Sequence, residues 1–132
     1  MILIVEDNER LTRLLCATFK KMNWRSHVAQ NGVEAYRLVR QKGLLCILLD
    51  IRMPMIDGLE LLSIMKKENI NVPTIIMTGD SDFDMDKLHA FPNVIGFMGK
   101  PFAMNEIVEM IRHYITAKLP RPSSPPTRLL RI

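Results

Sequence analysis

The chain predicts an α/β fold with a doubly wound, five-stranded parallel sheet in (βα)5 order. Three observations carry that expectation: short runs apolar at every position, amphipathic stretches between them, and regular alternation of the two. Strands apolar on both faces and separated by helices belong in a parallel sheet covered on both sides. The 132 residues are 48% hydrophobic and 24% charged, a balance that suits one packed domain and excludes wholesale disorder.

Each element has its own signal. Ile2–Val5 is a fully apolar run, the first strand. Leu11, Leu14, Leu15, Phe19 and Met22 then recur at three and four, the buried stripe of a helix. A weak strand follows at His27–Ala29. Asn31 with Glu34 three residues on predicts a capped helix to about Gln41, with Ala35, Leu38 and Val39 inward and Gly43 ending it. Leu44–Leu49 is an apolar strand ending at Asp50. Asp57 and Glu60 open a third helix that carries Leu59, Leu62 and Met65. Val72–Met77 is the fourth strand, a loop spans Gly79 to Asp82, and a short helix covers Asp84–Ala90 up to Pro92. Val94–Phe97 is the fifth strand. Ile107, Val108, Ile111, Tyr114 and Ile115 mark the last helix. Right-handed crossovers then favour the flavodoxin-like strand order 2-1-3-4-5, whose ligands bind beyond the carboxyl ends of the strands.

Charge and composition limit the function classes. The net charge of +4 belongs to residues 118–132, which hold Lys118, Arg121, Arg128 and Arg131 and no acid. Removing those four leaves 14 basic and 14 acidic residues in 1–117, so the body is no polycation and direct nucleic-acid binding is not expected. Four of the eight prolines also fall in 118–132, which reads as an extended linker-like tail after a 1–117 domain. No stretch reaches the 18 or so apolar residues of a membrane span, and no secretory leader is visible, so a cytoplasmic protein is expected. Cys16 and Cys46 have no metal-ligand spacing and read as free thiols. His27, His89 and His113 likewise show none, and the ten methionines read mainly as adaptable core filling.

The strand ends hold the chemistry. Glu6 and Asp7 follow strand one, Asp50 ends strand three, Thr78 ends strand four, and Lys100 lies just past strand five. Three carboxylates brought together repel, and burial would protonate them unless a cation were present. An open, all-oxygen ligand set suits Mg²⁺, which commonly completes its shell with phosphate oxygens. Lys100 supplies a point charge for a phosphoryl oxygen, and the Thr78 hydroxyl can donate to another. Asp50, central among these groups, is the candidate nucleophile toward phosphorus, giving an acyl phosphate.

The motifs that carry these residues resemble the receiver domains of two-component response regulators, the chemotaxis type included. They are Ile2-Leu-Ile-Val-Glu-Asp-Asn8, Leu48-Leu-Asp-Ile-Arg-Met-Pro-Met-Ile-Asp-Gly58, Ile76-Met-Thr-Gly79 and Phe97-Met-Gly-Lys-Pro-Phe102. The resemblance covers about residues 2–117. It implies that Asp50 is the phosphoacceptor, Asp7 a direct Mg²⁺ ligand, Glu6 a ligand through water, and Arg52 a ligand through its backbone carbonyl. It further implies that Lys100 and Thr78 contact the phosphoryl group and that a cis peptide precedes Pro101. Phe97 matches an aromatic switch position, with plain core packing as the competing reading. The implied partner is a sensor histidine kinase or phosphotransfer protein, and the output face is the fourth helix, fifth strand and fifth helix.

Smaller features are read with the same motifs. Gly79 leaves the phosphoryl site open or serves a turn. Arg52 and Asp80 each lie two residues beyond a site residue, and two separately solvated charges are favoured over an ion pair. Phe91-Pro-Asn-Val-Ile95 departs from the family pattern, so a homodimer through the output face is left open. The reading is a phosphorylation-controlled switch, not an enzyme in its own right despite phosphotransfer and slow self-hydrolysis. One rival is an aspartate-nucleophile phosphohydrolase, disfavoured because Arg52 stands where a general acid is needed. The other is a pseudo-receiver binding module, disfavoured because no site residue is missing.

Overall fold

In the computed structural model, which describes residues 1–80 and 82–118, the elements are β1 Ile2–Val5, α1 Glu9–Lys21, β2 Ser26–Ala29, α2 Gly32–Leu38, β3 Cys46–Asp50 and α3 Gly58–Lys67. They continue as β4 Thr74–Thr78, a 3₁₀ helix at Met85–Ala90, β5 Val94–Gly99 and α4 Met104–Lys118. The five strands are parallel and run in the order β2-β1-β3-β4-β5, as expected. Residues 119–132 of the tail lie outside the described residues.

Side-chain alternation divides the core in two. Leu3, Val5, Ile47, Leu49 and Ile76 point to one face, where α2, α3 and the 3₁₀ helix cover them with Ala35, Leu61, Leu62, Met65 and Leu88. Ile2, Ile4, Leu48, Ile75 and Met77 point to the other, under Leu15 and Phe19 of α1 and Ile107 and Ile111 of α4. Each fully buried Leu, Ile, Val or Met contributes about 1.5–3 kcal/mol, which is why the strand interiors are apolar between their ends. A charge at Ile2–Val5 or at Ile47–Leu49 would remove that term and leave an unpaired ion in the core.

Helix starts follow the side chains that precede them. Asn8, Asn31 and Asp57 each accept a backbone N–H three residues on, at 3.1, 2.8 and 2.9 Å. At α2 Glu34 also reaches back past the cap, its Oε1 accepting the Gln30 N–H at 3.3 Å.

Several details differ from the sequence reading: β4 starts at Thr74 rather than Val72, and β5 runs to Gly99 rather than Phe97. Leu14 is 50% exposed, and Thr12 is the buried residue of that turn, its hydroxyl donating to the Glu9 carbonyl at 3.0 Å. The hydroxyl, satisfied within the helix, can face the core, whereas periodicity alone counts it as polar. Helix α2 stops at Leu38 rather than near Gln41, and Gly43 sits in the following turn with φ of +87°. The fourth helical segment is 3₁₀, opened by the Asp84 carboxylate accepting the Asp86 N–H at 3.0 Å. Strand β3 begins at Cys46 rather than Leu44, with the Leu45 N–H donating to the Met1 carbonyl just before it.

Candidate functional site

The parallel register sets the carboxyl ends of β1, β3, β4 and β5 side by side, since Val5 pairs with Leu49, Asp50 with Met77 and Thr78 with Gly99. Glu6, Asp7, Asp50, Thr78 and Lys100 therefore surround one crevice. Glu6 is 1% exposed, Asp50 5% and Thr78 3%, while Asp7 is exposed. Helix α3 closes one flank: the Gly58 N–H donates to the Ile51 carbonyl at 3.0 Å. A Cβ on Gly58 would stand 2.7 Å from Ile51 Cα and 3.0 Å from the Asp50 carbonyl oxygen. Only glycine permits that approach.

Hydrogen bonds fix the carboxylates. Glu6 Oε2 accepts the Asn8 N–H at 3.1 Å and Oε1 accepts from Lys100 Nζ at 2.5 Å. Asp50 Oδ1 accepts the Arg52 N–H at 3.1 Å, and Lys100 Nζ lies 3.4 Å from Oδ2. Burial pushes the Glu6 carboxyl above its ordinary value, and the bonds from Lys100 and Asn8 offset this only in part. Burial pulls the Lys100 ammonium down, but the bond to Glu6 and the charges of Asp50 and Glu6 outweigh it and hold it above the usual lysine value. Lys100 is thus an ammonium wedged between two buried acids, and the Lys100–Pro101 peptide beside it is cis.

Glu6, Asp7 and Asp50 each offer a carboxylate oxygen, all within 4.8 Å of one another. Opposite ligands of an octahedral Mg²⁺ stand about 4.2 Å apart, so these oxygens fit a hard divalent ion with small side-chain adjustments.

The second half of the crevice is held by backbone. Thr78 Oγ1 accepts the Asp80 N–H at 3.0 Å, and the Thr78 carbonyl accepts the Lys100 N–H at 2.7 Å. Asp80 and Arg52 form an ion pair rather than two separately solvated charges. The reason is local: the Asp82 N–H holds Asp80 Oδ1 at 2.9 Å and so presents Oδ2 toward Arg52. The bond from Arg52, and then the one from Asp82, lower the Asp80 pKa. The pair is exposed and adds little stability. Gly79 is not required by space, because a Cβ there would meet only Lys100 Cβ at 3.7 Å, an ordinary contact.

Phe97 is half-buried and stacks on Phe83, with ring centroids 6.4 Å apart and planes 12° from parallel. Sequence reading missed Phe83, Gly58 as a spacer, and the Asn8 and Arg52 N–H groups that anchor the acids. Gly58 following Asp57 at a helix start was the one available signal. Backbone donors leave none.

The crevice lies where doubly wound sheets bind ligands, and its chemistry is that of a receiver-type α/β domain. Comparison with known proteins agrees: the chain belongs to the response regulator receiver domain family, whose model matches residues 2–112. It is 32% identical over 117 residues to sporulation initiation phosphotransferase F of Bacillus subtilis, covering 89% of this chain and 94% of that one. It is 31% identical over 112 residues to the transcriptional regulatory protein SrrA of Staphylococcus aureus, covering 84% of this chain but only 46% of SrrA, about half its length. Among solved structures, the receiver domain of a sensor histidine kinase from Pseudomonas aeruginosa, with a magnesium ion in its active-site cleft, superposes with a TM-score of 0.76. That pair is 26% identical and covers 87% of this chain and 96% of that one.

Proposed function

We propose that this receiver domain is a phosphorylation switch in which Asp50 accepts a phosphoryl group. The donor is a phosphohistidine on a sensor histidine kinase or phosphotransfer protein. The observation that carries this is the placement of Asp50: a buried carboxylate at the end of the central strand, with one oxygen 3.4 Å from Lys100 Nζ. Asp50 attacks phosphorus, the bond to the donor imidazole breaks, and an acyl phosphate remains. Lys100 transfers its ammonium from the carboxylates to a phosphoryl oxygen, and the Thr78 hydroxyl turns to donate to another. Glu6, Asp7, Asp50 and the Arg52 carbonyl would hold Mg²⁺, which when bound offsets the charge of the acids and of the phosphoryl oxygens. The magnesium ion in the related Pseudomonas domain supports that assignment.

The added charge favours the arrangement with Thr78 and Lys100 drawn inward, and Phe97 then repacks against its neighbours, biasing the output face. The product is a signal, so we class the chain as a non-enzyme acting in the cytoplasm. Arg52, paired with Asp80, supplies no general acid, which speaks against a phosphohydrolase. The test is phosphorylation by a small phosphodonor with Mg²⁺. The parent should be labelled near one phosphoryl group per chain and Asp50→Asn not at all. Labelling retained in Asp50→Asn would overturn the reading.

A further inference from the structure

We propose that Gly32, the first residue of α2, is a positioning residue for phosphoryl acceptance, seating the 51–57 loop that orients Asp50. The inference rests on Asp50 being the phosphoacceptor. Helix α2 contributes no residue to the crevice, so Gly32 acts through the loop alone. That loop leaves the site directly. The Arg52 N–H fixes Asp50 Oδ1 at 3.1 Å, and the Arg52 carbonyl is the proposed metal ligand. At the far end the Gly58 N–H returns to the Ile51 carbonyl at 3.0 Å. Between these anchors residues 51–57 belong to no helix or strand. Met55, at the middle, is 75% exposed with φ of +73°, a conformation that costs a side-chain-bearing residue energy. A loop held in that shape needs support from outside.

The start of α2 supplies that support. Gly32 is buried, and its N–H donates to the Pro54 carbonyl in a long bond of 3.5 Å. A Cβ on Gly32 would stand 2.5 Å from Ile56 Cβ and 2.8 Å from the Ile56 carbonyl carbon, with the carbonyl oxygen closer still. Two of those three atoms are backbone, which no rotamer change clears. Gly32 does not have a positive φ, so the position requires glycine for the close approach and not for its conformational freedom. To regain an ordinary contact of about 3.5 Å, the loop or the helix start must give by about 1 Å. Arg52 lies only four residues before Ile56, so a displaced loop carries its N–H and carbonyl away from the acids they serve.

The experiment compares the parent chain with Gly32→Ala and with Asn31→Ala, which weakens the same helix without adding an atom toward the loop. In ¹⁵N spectra recorded without metal, Gly32→Ala should shift the amides of 50–57 and leave those of β5 and α4 in place. Its phosphorylation rate with a small phosphodonor and Mg²⁺ should fall roughly tenfold or more, since 1 Å of misplacement can cost about 100-fold. The Mg²⁺ concentration giving half the amide shift at Asp50 should rise about tenfold, the usual cost of disturbing a ligand's support. Asn31→Ala should match the parent in both. The parent also gives a measurement that does not depend on how the variant folds. On Mg²⁺ titration the Gly32 amide should move together with those of Asp50 and Arg52, while Leu38 at the far end of α2 stays in place. A Gly32 amide that stays still would overturn the proposal, as would Gly32→Ala matching the parent or Asn31→Ala showing equal losses. An unlabelled parent would overturn the Asp50 reading and the proposal with it, whereas a labelled parent beside an unaltered Gly32→Ala overturns the proposal alone.

Discussion

Asp50 and Thr78 are both nearly buried at strand ends, yet their bonding differs and so do the expected effects of replacing them. Thr78 Oγ1 accepts the Asp80 N–H, so Thr78→Ala leaves that donor without a partner and should cost about 1–3 kcal/mol of stability, read from urea unfolding. Asp50 and Lys100 remain in place in that variant. Phosphorylation should therefore survive while the shifts it causes at Phe97 and beyond weaken, and equal loss of both would make Thr78 purely catalytic. Cys46 tests burial directly. Desolvation pushes its thiol up to about 12, so near pH 8.5 the nucleophilic thiolate is a very small fraction. Brief iodoacetamide treatment of the folded chain should modify Cys16 and spare Cys46, and peptide mass mapping checks which thiol reacted.

At the scale of elements, α3 is tied to the phosphoacceptor strand through a contact that only glycine allows. Gly58→Ala must push the helix start or the Asp50–Ile51 backbone outward by a few tenths of an ångström. Over-packing of this kind costs about 1–3 kcal/mol, and here it also moves the carboxylate. Thermal unfolding should show the loss of stability, and the phosphorylation rate should fall with it. A stability loss with an unchanged rate would mean that the Asp50 carboxylate does not follow its backbone. The Asn31 cap is a useful comparison: Asn31→Ala should cost about 1 kcal/mol through α2 and leave phosphorylation unaltered.

For the whole molecule, three acids at one sheet edge make stability respond to divalent ions. A ligand that binds only the folded state at one hundred times its Kd stabilises by about 2.7 kcal/mol. Mg²⁺ at that level should raise the thermal midpoint of the parent measurably. Asp7→Ala should abolish the rise, because Asp7 is the exposed acid of the trio and holds no described ion pair. An undiminished rise in Asp7→Ala would place the ion elsewhere. Lys100, 2.5 Å from Glu6 and 3.4 Å from Asp50, offsets one of the two buried negative charges.

Local chemistry determined much of this. A parallel strand buried on both faces must be apolar along its length, so Ile2–Val5 and Cys46–Leu49 announce themselves, and the polar residues at their ends, Glu6 and Asp50, stand out. Right-handed crossovers then limit the strand order, which brings Glu6, Asp7, Asp50, Thr78 and Lys100 to one edge before any coordinate is known. Other features depended on groups far apart in the chain. Leu14 faces solvent because the core under α1 is filled by Leu15, Phe19 and a self-satisfied Thr12, which a helical period cannot rank. Arg52 meets Asp80 because a turn 28 residues away orients one carboxylate oxygen, and Phe83 meets Phe97 because the loop after β4 folds over β5. Sequence pattern determines which residues must be buried and which strand ends carry polar groups. Their pairing and spacing are decided by tertiary packing, because contact energies between distant side chains depend on distances that no local pattern contains.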